Sequence, residues 1–500
     1  MTAPCATLPT VTEVDPSSLV PGDPSVDALT GDELARLAGG RVLALSSRPI
    51  HGAAVDSRLV EPGQLFVALP GERTDGHEFI ADAVGRGAVA VLLTRPVPDP
   101  SSLGDVTVVR VADGLVALGA VAAGWRRRFD PLVVGVTGSI AKTSTKEAIA
   151  AVLSRTLRTL RNEGNQNNEV GLPLTILRMT REHEAAVLEM GMYVGGEIAE
   201  LARIARPRIG VVTAVQPVHL ARIGSIEAIE RAKGELVEAL PRDGTAVLNA
   251  DDRIVRRMDR RTVARTVTYG FDETADVTAE AVGSAGFAGM RFVLRVGGSR
   301  QEVGIPTLGR MSVHNALAAA AVGRAAGLTL EEIAAGLATG WSAPHRAQLV
   351  RAGGVTLVDD SYNASPRSVV AALDLLAGLP GRRGAVLGEM LELGDASEDG
   401  HRTVGEAAAR TVDWLVVVGR DAAPIAEGAL DAGMDPARIA TAPDADTVVA
   451  TLPPRLRNGD VVLIKASRGI GLDRVVDGLR EELDKGYAGP QHGSGRGGRA

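Results

Sequence analysis

Lys142 and Thr143 stand where a run of small residues, Thr137-Gly138-Ser139-Ile140-Ala141, gives way to a helical pattern that continues to Leu153. An ammonium and a hydroxyl side by side at a helix start suit a polyphosphate. Backbone N–H groups at the helix end point at the anion, the lysine reaches the outer phosphates, and the threonine oxygen can ligate Mg2+. Leu132–Val136, just before, is an apolar β-branched run that reads as a buried strand. Strand, tight turn and helix together make a phosphate cradle. The strict G-x-x-x-x-G-K-[ST] pattern is not met, because Val136 and Ala141 hold its glycine positions. On these residues alone, nucleotide binding and an ordinary strand-to-helix turn are evenly matched.

Lysine usage sharpens the choice. Of 54 basic residues only five are lysines: Lys142, Lys146, Lys233, Lys465 and Lys485. Where arginine serves for surface charge, a remaining lysine is a candidate for work a guanidinium cannot do, such as a compact phosphate contact or amine chemistry. Lys233 sits in the helical stretch IEAIERAKGELVEAL on the small patch Ala232-Lys233-Gly234. Glu189 ends the apolar run Ala185–Leu188, so it is either a magnesium ligand at a strand's C-terminal end or a solvated strand end. His219 follows the run Ile209–Val218 and, alone, reads as a loop histidine. Four of the eight asparagines fall in Asn162–Asn168, a dense amide loop that includes Asn167 and Asn168 and suits binding over proton transfer. Asp56-Ser57-Arg58 binds an anion or caps a turn, and the cap is favoured. Asn249-Ala250-Asp251-Asp252 and His314-Asn315 have the same choice between ligand and helix cap.

These residues need elements to hold them. Five hundred residues suggest about three domains, since one core rarely exceeds ~250–300 residues. Residues 1–24 are rich in Pro, Thr and Ser and read as loose. Residues 25–128 read as a small α/β domain, with a strand at Gln64–Leu69, a helix at Gly76–Arg86 and a strand at Ala88–Leu93. Residues 129–341 alternate apolar runs with helical patterns, the mark of a mostly parallel sheet with crossover helices. Ala275–Pro306 breaks the alternation as an antiparallel excursion, and Met311–Gly340 is helical. Residues 342–485 repeat the α/β logic, with strands at Val355–Val358, Gly384–Leu387, Trp414–Val418 and Val461–Ile464. Residues 486–500 are Gly-rich, basic and read as disordered.

Composition sets limits on function. A formal charge of -7 gives no electrostatic case for a nucleic-acid or membrane-surface partner. Cys5 is the only cysteine, so no disulfide framework forms within the chain. There is no signal-peptide pattern and no apolar run of about 18 residues. The expectation is a soluble cytoplasmic protein without membrane insertion.

The order of motifs resembles the Mur ligase family. The match runs through DSRLVEPGQLFVALPG (Asp56–Gly71), TGSIAKTSTKE (Thr137–Glu147), NEGNQNNEVGLP (Asn162–Pro173), LEMG with GEI (Leu188–Ile198), VHLARIGSIEAIERAKGEL (Val218–Leu236), LNADD (Leu248–Asp252), HNALAAAA (His314–Ala321), DDSYNASP (Asp359–Pro366), GEMLELGDASEDGH (Gly388–His401) and KASRGIGL (Lys465–Leu472). The resemblance implies an α/β, three-domain architecture: a central P-loop-type ATPase domain, a small N-terminal α/β domain for the uridine nucleotide, and a C-terminal Rossmann-like domain. DDSYNASP and GEMLELGD point to members that add D-alanyl-D-alanine to a UDP-linked muramoyl tripeptide. By the same resemblance, Thr137, Gly138, Ser139, Ile140, Ala141, Lys142 and Thr143 would wrap ATP. Thr143 and Glu189 would ligate one Mg2+, and His219 a second. Lys233 matches a lysine that relatives carry as a carbamate, which turns an amine into a metal-binding carboxylate. Asn315, Arg346 and Asp360 would contact the nucleotide, Ser57 and Arg58 the uridine moiety, and Asn363 the incoming dipeptide. Asn167 and Asn168 join the substrate contacts. The implied working form is a monomer.

Two departures stand out. Many members have Gly-Lys-Thr where this chain has Ala141-Lys142-Thr143. If position 141 is left-handed, alanine costs ~1–2 kcal/mol there. Many also have Gly-Ala-Asn-His before Gly-Glu-Ile, where this chain reads Gly191-Met192-Tyr193-Val194-Gly195. Two other functions therefore stay open: a ligase for another amino or peptide component, and a nucleotide-binding protein without turnover.

Overall fold

The computed structural model describes residues 27–71, 74–96, 99–216 and 224–486. The leading segment with Cys5, residues 487–500 of the tail, and His219 lie outside them. The chain divides into two compact units: Met1–Pro131 with Glu169–His183, and Leu132–Asn168 with Glu184–Ala500.

The first unit is built on a five-stranded sheet of β1 (Arg41–Ala44), β2 (Ala53–Ala54), β3 (Leu65–Val67), β4 (Ala90–Leu93) and β5 (Thr107–Arg110), in the order β1-β5-β4-β3-β2. β1 is antiparallel to β5 and the other pairs are parallel. The expected helix Gly76–Arg86 starts as a 3-10 turn, Gly76–Phe79, because Asp75 caps the N–H of His77; it continues as an α-helix over Ile80–Gly85. The Glu169–His183 excursion is tied in by polar contacts. The Trp125 indole donates to the Met179 carbonyl at 3.0 Å, and Arg181 pairs with Asp27 at 2.9 Å.

The second unit holds two sheets. The larger runs β14-β13-β12-β11-β10-β9-β6-β8-β7. Its strands are β6 (Leu132–Thr137), β7 (Thr159–Arg161), β8 (Ala185–Glu189), β9 (Ile209–Val212), β10 (Thr245–Asn249), β11 (Arg265–Tyr269), β12 (Val277–Ser284), β13 (Met290–Val296) and β14 (Ser299–Ile305). β7 through β11 pair in parallel around β6, and β12–β13–β14 form the antiparallel excursion expected from sequence. Both faces are covered, which is why the strands are nearly continuous runs of apolar residues. On one face Val134, Val136 and Val187 pack with Ile149, Val152 and Leu153 of the helix Lys142–Leu153 and with the alanines of the helix Arg310–Ala325. On the other, Val212 and Leu248 meet Ile229 and Val237 of the helix Ile226–Glu238. The chain leaves β6 toward β7 and β8 on one side and later returns with β9 on the other. The strand order therefore reverses at β6, and α/β sheets place ligands beyond the C-terminal strand ends at such a point.

The smaller sheet runs β15-β16-β20-β17-β18-β19, with β15 (Gln348–Ala352), β16 (Val355–Asp359), β17 (Arg382–Gly388), β18 (Trp414–Val418), β19 (Ile439–Ala442) and β20 (Asp460–Lys465). β15 is antiparallel to β16, and the rest are parallel. The four strands expected here are present, and the two edge strands are additional. Among the described residues no helix is long and apolar enough to cross a membrane.

Candidate active site

The turn after β6 is fixed against the end of β9. Gly138 has φ 150°, and a Cβ there would lie 1.9 Å from Thr213 Oγ1, so only glycine fits. The Ser139 N–H donates to the Ala214 carbonyl at 2.8 Å, and the Thr213 hydroxyl donates to the Ile140 carbonyl at 2.6 Å. The Ser139 hydroxyl accepts from the Gln216 N–H at 3.0 Å. Ala141 then adopts φ 63°, ψ 4°, the left-handed conformation, and no side chain caps the helix that follows. The first-turn N–H groups are thus left to an incoming anion, which the helix dipole also favours. Lys142 Nζ donates to the Gly138 carbonyl at 2.8 Å, curling over the turn. Ile140, Ala141, Lys142 and Thr143 are all partly exposed, so the turn opens outward and is not plugged by its two non-glycine residues.

Glu189 is the last residue of β8 and is 2% exposed, so it is no solvated strand end. Its backbone is clamped by Asn162: the Asn162 amide oxygen accepts the Glu189 N–H at 2.9 Å, and its NH2 donates to the Glu189 carbonyl at 3.1 Å. Glu189 Oε1 accepts from the Asn167 amide at 2.7 Å. Its other oxygen, Oε2, is buried and has no hydrogen-bond partner among the described residues. A buried carboxylate oxygen without a donor is costly in itself, and a cation is the partner that would satisfy it. Among the described residues no three His, Cys, Asp or Glu side chains gather into a metal cage. The donor is instead the single Glu189 carboxylate, of the kind that suits a Mg2+ held by few protein groups.

Lysine chemistry concentrates here. Burial pushes the Lys142 ammonium below its usual pKa; Glu189 works against that, and Arg346 adds to it. Lys233, 4% exposed, is pushed well below the usual lysine range, by burial first and then by the charge on Lys142. Lys142, Glu189, Lys233 and Arg346 therefore share one electrostatic neighbourhood. Lys146, fully buried one helical turn past Lys142, pairs with Glu147 at 2.9 Å and donates to the Asn162 carbonyl. It braces the residue that clamps Glu189. Sequence reasoning gave Lys146 no role; its only signal was the scarcity of lysine.

The remaining candidates fall as follows. Asn315 is buried and accepts from the Thr145 hydroxyl at 3.1 Å, which ties the helix Arg310–Ala325 to the cradle helix. His314 beside it lies against Asn249, at 3.2 Å, and Asp251, at 3.3 Å, under the rings of Tyr269 and Phe271. Asp252 caps the short helix Arg253–Arg256, as the capping alternative expected. Arg346 lies over the Tyr362 ring at 4.3 Å, between His345 (φ 59°) and Ala347 (φ 50°), both left-handed. Asp360 pairs with the buried Lys465 at 2.7 Å and accepts from the Ala347 N–H. The Asn363 carbonyl accepts from Lys465 at 2.7 Å. Asn167 is committed to Glu189, and Asn168 follows it in the loop, partly buried. In the first unit, Asp56 caps the 3-10 turn Ser57–Leu59, Ser57 is buried, and the Arg58 guanidinium closes back on Asp56 at 2.7 Å.

Three family models match this chain in order: the Mur ligase family catalytic domain over residues 49–161, the Mur ligase middle domain over 136–323, and the Mur ligase glutamate ligase domain over 345–468. The chain belongs to the Mur ligase family. Within it, the UDP-N-acetylmuramoyl-tripeptide–D-alanyl-D-alanine ligase of Mycobacterium tuberculosis is 39% identical, over 90% of this chain and 97% of that protein. The ligase of the same description from Bacillus subtilis is 38% identical, over 86% and 93%. Among solved structures, MurF from Acinetobacter baumannii superposes with TM-score 0.81 at 29% identity, over 91% of this chain and 99% of that one. MurF from Thermotoga maritima, in complex with ADP, gives TM-score 0.76 at 30% identity, over 87% and 98%.

Proposed function

We propose that this chain is an ATP-dependent amide ligase that joins D-alanyl-D-alanine to UDP-N-acetylmuramoyl-tripeptide, a cytoplasmic step of peptidoglycan precursor synthesis, acting as a monomer. The observation that carries the reading is the buried Glu189 oxygen, without a hydrogen-bond partner among the described residues, beside an uncapped cradle helix, at the point where the strand order reverses. In the reaction the tripeptide carboxylate takes the γ-phosphoryl group of ATP, giving an acyl phosphate and ADP. The dipeptide amine then attacks the acyl carbon, and phosphate leaves.

The chain's own groups would divide the work. The N–H groups of residues 140–143 receive the phosphates, and Lys142 exchanges the Gly138 carbonyl for a phosphate oxygen. Thr143 and Glu189 hold one Mg2+; His219 and Lys233 stand to hold a second. Magnesium, when bound, neutralises charge on the phosphoryl group in transfer. The depressed Lys233 amine is a nucleophile for CO2, releasing a proton and leaving a carbamate that binds metal as an ammonium cannot. Asn315 supports the adenine side through the cradle helix, while Arg346 and Asp360 approach from residues 342–485, read as the ligase domain. Ser57 and Arg58, in the domain read at 25–128, take the uridine nucleotide, and Asn363 meets the dipeptide, with Asn167 and Asn168 lining the approach.

The test is phosphate release with ATP, Mg2+, UDP-muramoyl-tripeptide and D-alanyl-D-alanine. Release that requires the dipeptide, with the pentapeptide product seen by mass spectrometry, is expected. Release only with another amine acceptor would reassign the substrate, and no release with any acceptor would reject ligation.

A further inference from the structure

Lys465 is the last residue of β20, and Asp359 is the last residue of the neighbouring parallel strand β16. Lys465 is sealed, at 3% exposure. An ammonium has three hydrogens to place. Here they meet Asp360 Oδ2 at 2.7 Å, the Asn363 carbonyl at 2.7 Å and, more loosely, the Asp360 carbonyl at 3.4 Å. A buried ion pair contributes little net stability, because desolvation offsets the attraction. A planar guanidinium could not send donors along three such directions from one atom. Only five of the 54 basic residues are lysines, so a lysine kept in this place points to a geometric task. The roles of Lys142 and Lys233 leave that task unfilled.

Asp360 shows what the task is. Its Oδ1 accepts the Ala347 N–H at 3.2 Å, while Asp359 Oδ2 lies 2.8 Å from His345 Nδ1. The Tyr362 N–H donates to the His345 carbonyl at 3.1 Å. These contacts grip the residues on both sides of Arg346. His345 and Ala347 hold φ 59° and 50°, a left-handed backbone that residues with a Cβ keep only where the surroundings enforce it. Arg346, between them, is laid over the Tyr362 ring at 4.3 Å, and its charge acts on both Lys142 and Lys465. Asp359 is fixed within its own turn by the Ser361 N–H and hydroxyl, whereas Asp360 is anchored to β20 by Lys465. Ser467, two residues on, fastens the same loop from its other end: its hydroxyl donates to the Ala364 carbonyl at 3.4 Å and accepts the Leu391 N–H at 2.9 Å.

We propose that Lys465 is a positioning residue for the ligase reaction: it holds Asp360, Asp360 holds the Ala347 N–H, and Arg346 is thereby aimed at the nucleotide. This role rests on the ligase reading. Lys465, sealed beneath the loop 360–363, acts through these residues and not on the reacting atoms.

Lys465→Met removes the ammonium and keeps the stem. Lys465→Gln keeps a neutral donor for Asp360 and serves where the first variant does not fold. At saturating ATP, tripeptide and dipeptide, kcat should fall about 100-fold, the scale of a 1 Å misplacement near the chemistry. The gain in Tm on adding Mg-ADP should stay as in the parent chain. The deciding readout is the same substitution made in an Arg346→Ala chain. There it should change kcat by less than about twofold, because the group it aims is gone. A folded Lys465 variant with parental kcat overturns this inference alone. So does a full further loss on top of Arg346→Ala, which would make Lys465 a structural residue. A parent chain that releases no phosphate with any acceptor overturns the ligase reading, and this inference with it.

Discussion

Ala141→Gly isolates the backbone conformation of the cradle from its chemistry. Ala141 sits at φ 63°, ψ 4°, ahead of the helix Lys142–Leu153. An L-residue with a Cβ pays about 1–2 kcal/mol in that region. Glycine removes the strain but gives back about 0.4–1 kcal/mol through the greater freedom of the unfolded chain. The difference is a net gain of roughly 0.5–1 kcal/mol, or about 1–3 °C in Tm for a unit of this size. Differential scanning calorimetry without nucleotide reads it directly. The N–H groups that face the phosphates keep their directions, so the dissociation constant for Mg-ADP should stay within about twofold, a change of less than about 0.5 kcal/mol. Ala141→Val, β-branched and strained further, should lower Tm and weaken ADP together. A glycine variant less stable than the parent would show that the methyl group packs more than it strains. A tenfold loss of ADP affinity would show that the alanine itself shapes the cradle.

Three further outcomes follow from the same site. Glu189→Gln should raise the stability of the metal-free chain by about 1 kcal/mol, since it removes a buried charge one of whose oxygens has no donor among the described residues; the extra thermal stabilisation that Mg2+ adds to ADP binding should disappear. Lys233→Arg should fold normally and lose turnover, and 13C-bicarbonate should give a carbamate signal in the parent that the variant lacks; near-normal activity would remove the carbamate from the account. Lys146→Met should cost about 1–3 kcal/mol by leaving the buried Asn162 carbonyl without its donor, Glu147 keeping its pair with Arg161 at 2.9 Å, and raise the Mg2+ concentration needed for half-maximal ADP binding. A stability loss with unchanged Mg2+ dependence would reduce Lys146 to a packing role.

The cradle was legible because three local signals agree: a β-branched run, small residues, and a lysine–threonine pair at a helix start. Trp414–Val418 was legible to the residue, because its five apolar residues are bounded by Asp413 and Gly419. The short strands β7, β15 and β19 were not: each mixes exposed with buried positions, and none offers the unbroken apolar run of an interior strand. The bracing of Glu189 by Asn162 and Lys146 was hidden for another reason. It runs partly through backbone carbonyls, which every residue has, and joins segments 16 to 27 residues apart. The grouping of Glu169–His183 with the first unit rests on Trp125, Asp27 and other residues distant in sequence, so no local pattern announces it.

The burial of the lysines has a practical consequence. Lys146, Lys233 and Lys465 are sealed, Lys142 is curled over its turn, and only Lys485 on the helix Asp473–Gly486 stands exposed, in a surface pair with Glu482 at 2.8 Å. Amine-reactive dyes should therefore attach to this molecule at one side chain, far from any need for mutagenesis. Whatever slower labelling reaches Lys142 becomes a gauge of nucleotide occupancy, falling as the cradle fills.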